Sequence, residues 1–171
     1  EARDGRIAGP VTAESAFGAI TLIDVLGDGY AVKSQNGAVE IEGARGPLEV
    51  GSSFGDVTVT DAVDAQLDLS SDNGAVSFSG SLDPAADHHA ETSFGDIALA
   101  IPADSRFDAF LKTAFGTVRS ELPIAVSGEV GGGEVGGGEW RGALNGGGRR
   151  LELVTQNGDI EIIAGSPAPS E

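Results

Sequence analysis

The sequence contains no cysteine and no methionine. Without cysteine there is neither a disulfide framework nor a thiolate metal site, and the absence fits any redox compartment. The missing initiator methionine implies a processed or trimmed chain whose true N-terminus lies outside it. Aromatic residues are only 5% of the chain while hydrophobic residues are 40%, so the core has to be narrow and built from Val, Ile, Leu and Ala. Basic residues are scarce. Ten Lys and Arg stand against 27 Asp and Glu, a formal net charge of −17. Such a chain repels nucleic acid and anionic membrane surfaces; it suits solubility, cations or a basic partner. No apolar run approaches the roughly 20 residues of a membrane-spanning helix, so no membrane insertion is expected, and no signal peptide is visible.

Glycine is in excess, at 27 of 171 residues, more than double the usual ~7%. Much of that excess marks a repeat. A pattern of Ser or Thr, any residue, Phe or Asn, Gly, any residue, Ile or Val recurs at Ser15–Ile20, Ser34–Val39, Ser52–Val57, Ser71–Val76, Thr92–Ile97, Thr113–Val118 and Thr155–Ile160. The corner glycines are Gly18, Gly37, Gly55, Gly74, Gly95, Gly116 and Gly158, at steps of 19, 18, 19, 21, 21 and 42 residues. The last step is twice the one before it, which predicts a degenerate eighth copy near Gly136–Gly137. A period of about 20 residues is the signature of stacked units.

Counted from each corner, residues at −7, −5, −3 and −1 share one strand face, because side chains alternate with period two. Leu48, Val50, Ser52 and Phe54 are one such set. After the glycine the apolar positions become +2 and +4, as in Val57 and Val59. Glycine accommodates this change of parity because it alone takes positive φ without steric cost. Asn-Gly between alternating runs is a hairpin signal. Four copies, however, place Phe17, Phe54, Phe94 or Phe115 before the glycine, and Phe resists the left-handed conformation a type I′ turn needs. The pattern therefore predicts an all-β parallel β-solenoid (a β-helix) of about eight two-strand repeats with Gly corners, with an antiparallel sandwich as the alternative. In sequence order position −1 reads Phe, Asn, Phe, Asn, Phe, Phe, (Gly), Asn. This near-alternation leaves open whether one or two repeats make a coil.

Residues 1–10 read as a lead-in or cap, 11–163 as the repeat domain, and 164–171 as a disordered tail. Within the domain, 119–150 is Gly-rich and breaks the pattern, as an irregular coil or a loop. The ending Gly146-Gly147-Gly148 followed by Leu151–Ile162, with its Thr-x-Asn-Gly-Asp-Ile core, resembles the signature of a bacterial adhesin-type β-strand-repeat family, a domain of unknown function. Ser52–Val57 and Thr92–Ile97 resemble that family's internal repeats. The resemblance covers about Val11–Ile163. It implies a β-helix-like fold in an extracytoplasmic, cell-envelope or surface protein, and no catalytic residues.

Asp56, Asp96 and Asp159 share position +1. Stacked carboxylates there could coordinate calcium through oxygen; the plain alternative is that Asp after Gly caps a turn. The Gly-Gly-x-Gly-x-Asp nonapeptide of calcium β-rolls is absent. His88 and His89 point to opposite faces, inward and outward, which favours a structural His88 over a metal pair. Basic residues are thinly spread, at Lys33, Lys112, Arg119, Arg141, Arg149 and Arg150. No nucleophile constellation or metal-ligand spacing stands out, so no enzyme and no cofactor other than calcium is expected. Phe110, on an outward position, and Trp140, beside Arg141, are candidate partner anchors; the alternative is that a loop or end cap covers them. The resulting expectation is a non-catalytic binding or adhesion-type scaffold presenting an acidic outer face to a protein or glycan. A self-assembling unit joined through solenoid ends is the alternative, and a polysaccharide-active enzyme comes third.

Overall fold

A computed structural model describes residues 2–6, 9–126 and 135–165, with side chains at 9–125 and 138–165. Of the expected disordered tail 164–171, Ala164 ends β15 and the Gly165 N–H donates to the Ile101 carbonyl at 2.8 Å; residues 166–171, the lead-in residue Ile7 and the tandem Glu129-Val130 and Glu134 repeats lie outside the described residues or their side chains. The strands are β1 (Ala2–Arg6), β2 (Val11–Phe17), β3 (Ile20–Leu26), β4 (Tyr30–Asn36), β5 (Val39–Glu42), β6 (Arg45–Phe54), β7 (Val57–Asn73), β8 (Val76–Leu82), β9 (His88–Phe94), β10 (Ile97–Ile101), β11 (Phe107–Ser120), β12 (Ile124–Val126), β13 (Val135–Leu144), β14 (Arg149–Asn157) and β15 (Ile160–Ala164).

The period-two pattern decides what is buried. Leu48, Val50 and Ser52 before a corner and Val57 and Val59 after it are buried, and the residues between them are not. The repeats stack in parallel and in register, one repeat per layer, so position −5 runs Ala13, Val32, Val50, Leu69, Ala90, Leu153, Leu111. One continuous core of Val, Ile, Leu and Ala results. Backbone hydrogen bonds of 2.8–3.1 Å continue from layer to layer through the corners, from Gly18 N–H to Asn36 C=O down to Gly158 N–H to Phe115 C=O.

The expected open solenoid is overturned by the strand pairing. Strands β7, β8, β10, β15, β11, β14 and β9 are hydrogen-bonded in a cycle that returns to β7, a closed seven-stranded parallel barrel with the other strands outside it. Two features close it. The long strands β7 and β11 do not end where a repeat would break; each contributes to the pairings on both sides of the barrel. The final unit, β14 and β15, does not follow β11 at the end of the stack but inserts between β9/β10 and β11. A turn at Asn145-Gly146-Gly147, all with positive φ, reverses the chain for this return. The Asn145 amide donates to the carbonyls of Ala103 and Ser105 at 2.8 Å, tying the turn to the connector before β11.

The eighth copy is also overturned. β13 runs antiparallel to β11, with Gly136 opposite Thr117, and β12 pairs antiparallel with β13. These two strands cover the last layer, which otherwise would present an unpaired edge.

Inside the corners, the column at −3 is Ser15, Ser34, Ser52, Ser71, Thr92, Thr155, Thr113, buried from Ser34 onward. From Ser52 onward each hydroxyl donates to the corner glycine carbonyl of the adjacent layer: Ser52 to Gly37, Ser71 to Gly55, Thr92 to Gly74, Thr155 to Gly95 and Thr113 to Gly158, all at 2.9–3.1 Å. The ladder thus runs from side-chain hydroxyl to backbone carbonyl. Ser34 Oγ is buried with no hydrogen-bond partner among the described residues.

The glycines serve closeness as much as conformation. Gly18 has φ +104 and open space around it. Gly74 has no positive φ, yet a Cβ there would lie 2.3 Å from the Gly55 carbonyl oxygen.

Candidate functional site

Position −1 is where structure and sequence part most sharply. The alternation rule places it inward with −3; in the structure it faces solvent. Phe17, Phe54, Phe94 and Phe115 are 83%, 58%, 56% and 76% exposed, the only large aromatic side chains so exposed among the described residues. Position −1 still belongs to the strand, but the register passes from −3 to −1 without pairing −2 in any layer, so alternation is interrupted there and the −3 hydroxyl is the last side chain to reach the core.

Insertion of the C-terminal unit then orders this column. From one end to the other it reads Phe17, Asn36, Phe54, Asn73, Phe94, Asn157, Phe115. Asn157 enters between Phe94 and Phe115, the two phenylalanines that are consecutive in sequence, and the alternation becomes complete. Each inner ring has an asparagine on both sides, which accounts for the lower exposure of Phe54 and Phe94 than of the two end rings. Asn36 Nδ2 donates to the Ala16 carbonyl at 3.3 Å and Asn157 Nδ2 reaches the Ser93 carbonyl at 3.5 Å. At ~200 Å² per ring, the exposed faces total roughly 500 Å², divided into four by the intervening asparagines.

The three candidate metal aspartates flank this column at +1. Asp96 and Asp159 occupy adjacent layers, and Asp56 is separated from Asp96 by the layer of Ala75. Each carboxylate already caps a backbone donor of the neighbouring layer. Asp56 Oδ1 accepts from Ala75 N–H at 2.8 Å, Asp96 Oδ1 from Asp159 N–H at 2.8 Å and Asp159 Oδ1 from Thr117 N–H at 2.7 Å. The Thr117 N–H holds the Asp159 carboxyl below the usual carboxylate range. Calcium takes six to eight oxygens, and no group of three or more His, Cys, Asp or Glu poised for a metal occurs among the described residues.

A second feature gathers the scarce cations. β11 lies between β13 and β14, so Arg141 and Arg150 approach Phe110 from opposite sides, their guanidinium carbons 5.1 and 5.4 Å from the ring centre. Such stacking is a cation–π contact. Arg149 joins them in lining a cleft of about 640 Å³, with Asp87 and Asp108 on its walls. Arg141 pairs with Glu139 at 2.8 Å and Arg150 with Glu152 at 3.0 Å. Trp140 is half-buried against the core rather than beside Phe110, and its ring lies over Gly138. The two expected anchors are therefore separated in role: Phe110 sits in a charged cleft, and Trp140 helps cover the end of the stack. Sequence alone could not join Phe110 to Arg150, because the link depends on the inserted β14.

His88 is buried, 5.1 Å from the Phe107 ring, edge to face. Its Nδ1 accepts from Leu67 N–H at 3.3 Å and its Nε2 lies 3.0 Å from the Asp83 carbonyl, which fits a neutral ring protonated at Nε2. Burial pushes its pKa below 6.5. His89 faces outward beside Glu91 and Glu152.

The model of one family, Toastrack DUF4097, matches residues 4–163. No curated protein and no solved structure matches the chain. No helix among the described residues is long and apolar enough to cross a membrane.

Proposed function

Starting from the fact that this chain belongs to the Toastrack DUF4097 family, we propose that it is a non-catalytic binding scaffold of the cell envelope or surface, and that its corner edge is the binding face for a protein or glycan. The observation that carries this reading is the single file of exposed Phe17, Phe54, Phe94 and Phe115. Exposing a ring forfeits about 1.5–3 kcal/mol that burial would contribute, and four such losses in one register accumulate in a chain with only seven phenylalanines. The acidic outer face adds selection against anionic ligands and faster encounter with basic ones. An adhesive role is the form such a scaffold takes at a surface.

The double variant Phe54→Ser/Phe94→Ser tests the reading against arrays of immobilised oligosaccharides and peptides. Both side chains are exposed, so the melting temperature should stay close to wild type. The wild type should bind at least one ligand class that the variant does not. Indistinguishable binding by the two proteins would refute it.

Self-assembly is a second reading, favoured by edge strands β1 and β2, each of which pairs on one side only among the described residues. Light scattering at high concentration decides it, and a strictly monomeric mass sinks it.

A further inference from the structure

We infer that the occupant of the phenylalanine column is a Pro-rich, basic peptide segment in the polyproline II conformation. This inference rests on the binding-scaffold reading and narrows it to one ligand.

The argument begins with pitch. The column is carried on layers joined by unbroken backbone hydrogen bonds at the corners, so its spacing is that of hydrogen-bonded strands. At ~4.8 Å per layer, rings in every second layer stand about 9.6 Å apart, and four rings span roughly 29 Å. A ligand that uses them all must repeat at that interval. An extended strand returns a side chain to the same face every ~6.8 Å and loses step at the second ring. Two turns of α-helix advance ~10.8 Å and drift by about 3.6 Å over three intervals. Polyproline II has three residues per turn at ~3.1 Å each, about 9.3 Å. Its drift over the whole column is about 0.9 Å, small against the breadth of an aromatic ring.

Chemistry between the rings agrees. A polyproline II backbone makes no internal hydrogen bonds, and its carbonyls project outward. Asn36, Asn73 and Asn157 lie in the layers between the rings, exposed; Asn36 and Asn157 spend one amide N–H on the Ala16 and Ser93 carbonyls, and the second is able to donate to such carbonyls. Aromatic ridges separated by amide donors suit Pro-rich segments, whose preformed helix loses little entropy on docking. Charge then selects among them. The positions on either side of the column, −2 and +1, carry Asp72, Asp56, Asp96 and Asp159 and no Lys or Arg in any layer. A ligand bearing Arg or Lys between its prolines is attracted, and an acidic one is repelled.

The probe is a fluorescein-labelled ten-residue peptide of prolines interrupted by two arginines, titrated by fluorescence anisotropy into the whole chain. A control peptide keeps the arginines and replaces alternate prolines by glycine, which removes the preformed helix. The proline peptide should bind at least tenfold more tightly than the glycine control. Phe54→Ser/Phe94→Ser should weaken it at least tenfold at unchanged melting temperature. Added salt should weaken it further. Equal affinity for the two peptides, or binding untouched by the double variant, overturns the inference and reduces the effect to charge attraction. A neutral β-linked oligosaccharide is titrated in parallel. If it binds in a phenylalanine-dependent way and the peptide does not, the inference falls and the scaffold reading stands. If neither ligand responds to the double variant, the inference falls, and the array comparison decides the scaffold reading separately.

Discussion

Replacing Gly74 by alanine separates two reasons for a corner glycine. Gly74 has no positive φ, so an alanine there meets no conformational penalty. Its Cβ, however, would lie 2.3 Å from the Gly55 carbonyl oxygen, 2.5 Å from that carbonyl carbon and 2.9 Å from the Asp56 nitrogen. Carbon contacts settle near 3.5–4.0 Å, so the two layers must part by about 1 Å. The atoms that would move are backbone atoms, fixed by Gly55 N–H to Asn73 C=O at 3.0 Å, Val57 N–H to Ala75 C=O at 2.9 Å and the Ser71 hydroxyl on Gly55 C=O at 3.1 Å. A 1 Å separation carries all three past hydrogen-bonding range. Three bonds at ~1 kcal/mol each, with overpacking of 1–3 kcal/mol on top, give a loss of about 4–6 kcal/mol. For a chain of this size each kcal/mol lowers Tm by roughly 2–4 °C, so Tm should fall by at least about 8 °C. Gly18→Ala is the counterpart. It has φ +104 and nothing within 4 Å, so it costs only the ~1–3 kcal/mol of a left-handed non-glycine residue. Urea melts followed by far-UV circular dichroism measure both. A Gly74→Ala variant within about 1 kcal/mol of wild type, or a Gly18→Ala variant that costs more than Gly74→Ala, would refute the steric account.

Four further outcomes are expected. Thr155→Val keeps the shape but removes the 3.0 Å hydrogen bond to Gly95 C=O inside the corner; it should lower stability by ~1–2 kcal/mol in urea, whereas Ser34→Ala removes an unpartnered hydroxyl and should change stability by less than ~0.5 kcal/mol. His88 has its folded pKa lowered by burial, so below its ordinary 6.5 the unfolded chain binds more protons than the folded one. Wild type should therefore lose stability relative to His88→Gln as pH falls through that value, with a constant gap above it; a gap unchanged down to pH ~5 contradicts the buried neutral ring. Asp159 is the opposite case, a lowered carboxyl whose stabilisation is complete above its ordinary 3.8 and disappears as pH falls through the folded value. The stability deficit of Asp159→Ala should be steady at neutral pH and close below 3.8, as acid melts would show. Finally, with the three +1 aspartates engaged by backbone N–H groups, thermal melts in calcium and in chelator should coincide; an upward shift with calcium would restore them as a cation site.

The repeat, the parallel pairing of its strands and most of the buried positions from −7 to −3 and at +2 and +4 were legible in the chain, because period-two burial is a local property of a strand; whether one or two repeats make a layer was not. The inward-facing His88 was legible for the same reason. The +1 aspartates were legible as candidates, but their backbone partners lie 19 to 63 residues away, beyond any local pattern. The outward turn of position −1 was missed because the alternation rule holds only while the ladder is regular, and here the register skips position −2 in each layer. Phe110 was found as an outward residue, yet its Arg141 and Arg150 neighbours come from two strands that only tertiary pairing sets on either side of β11.

By itself, then, the sequence determined what each repeat buries up to position −3 and at +2 and +4, since alternation and the corner glycine act within a few bonds. Only the tertiary structure decided the order of the layers. Every repeat offers the same hydrogen-bonding edge, so backbone pairing alone does not say which repeat follows which. The return of the chain through β13 places the last unit between the fifth and the sixth, closing the barrel and setting Asn157 between Phe94 and Phe115. The regular column of rings on which a ligand would rest is a product of that insertion.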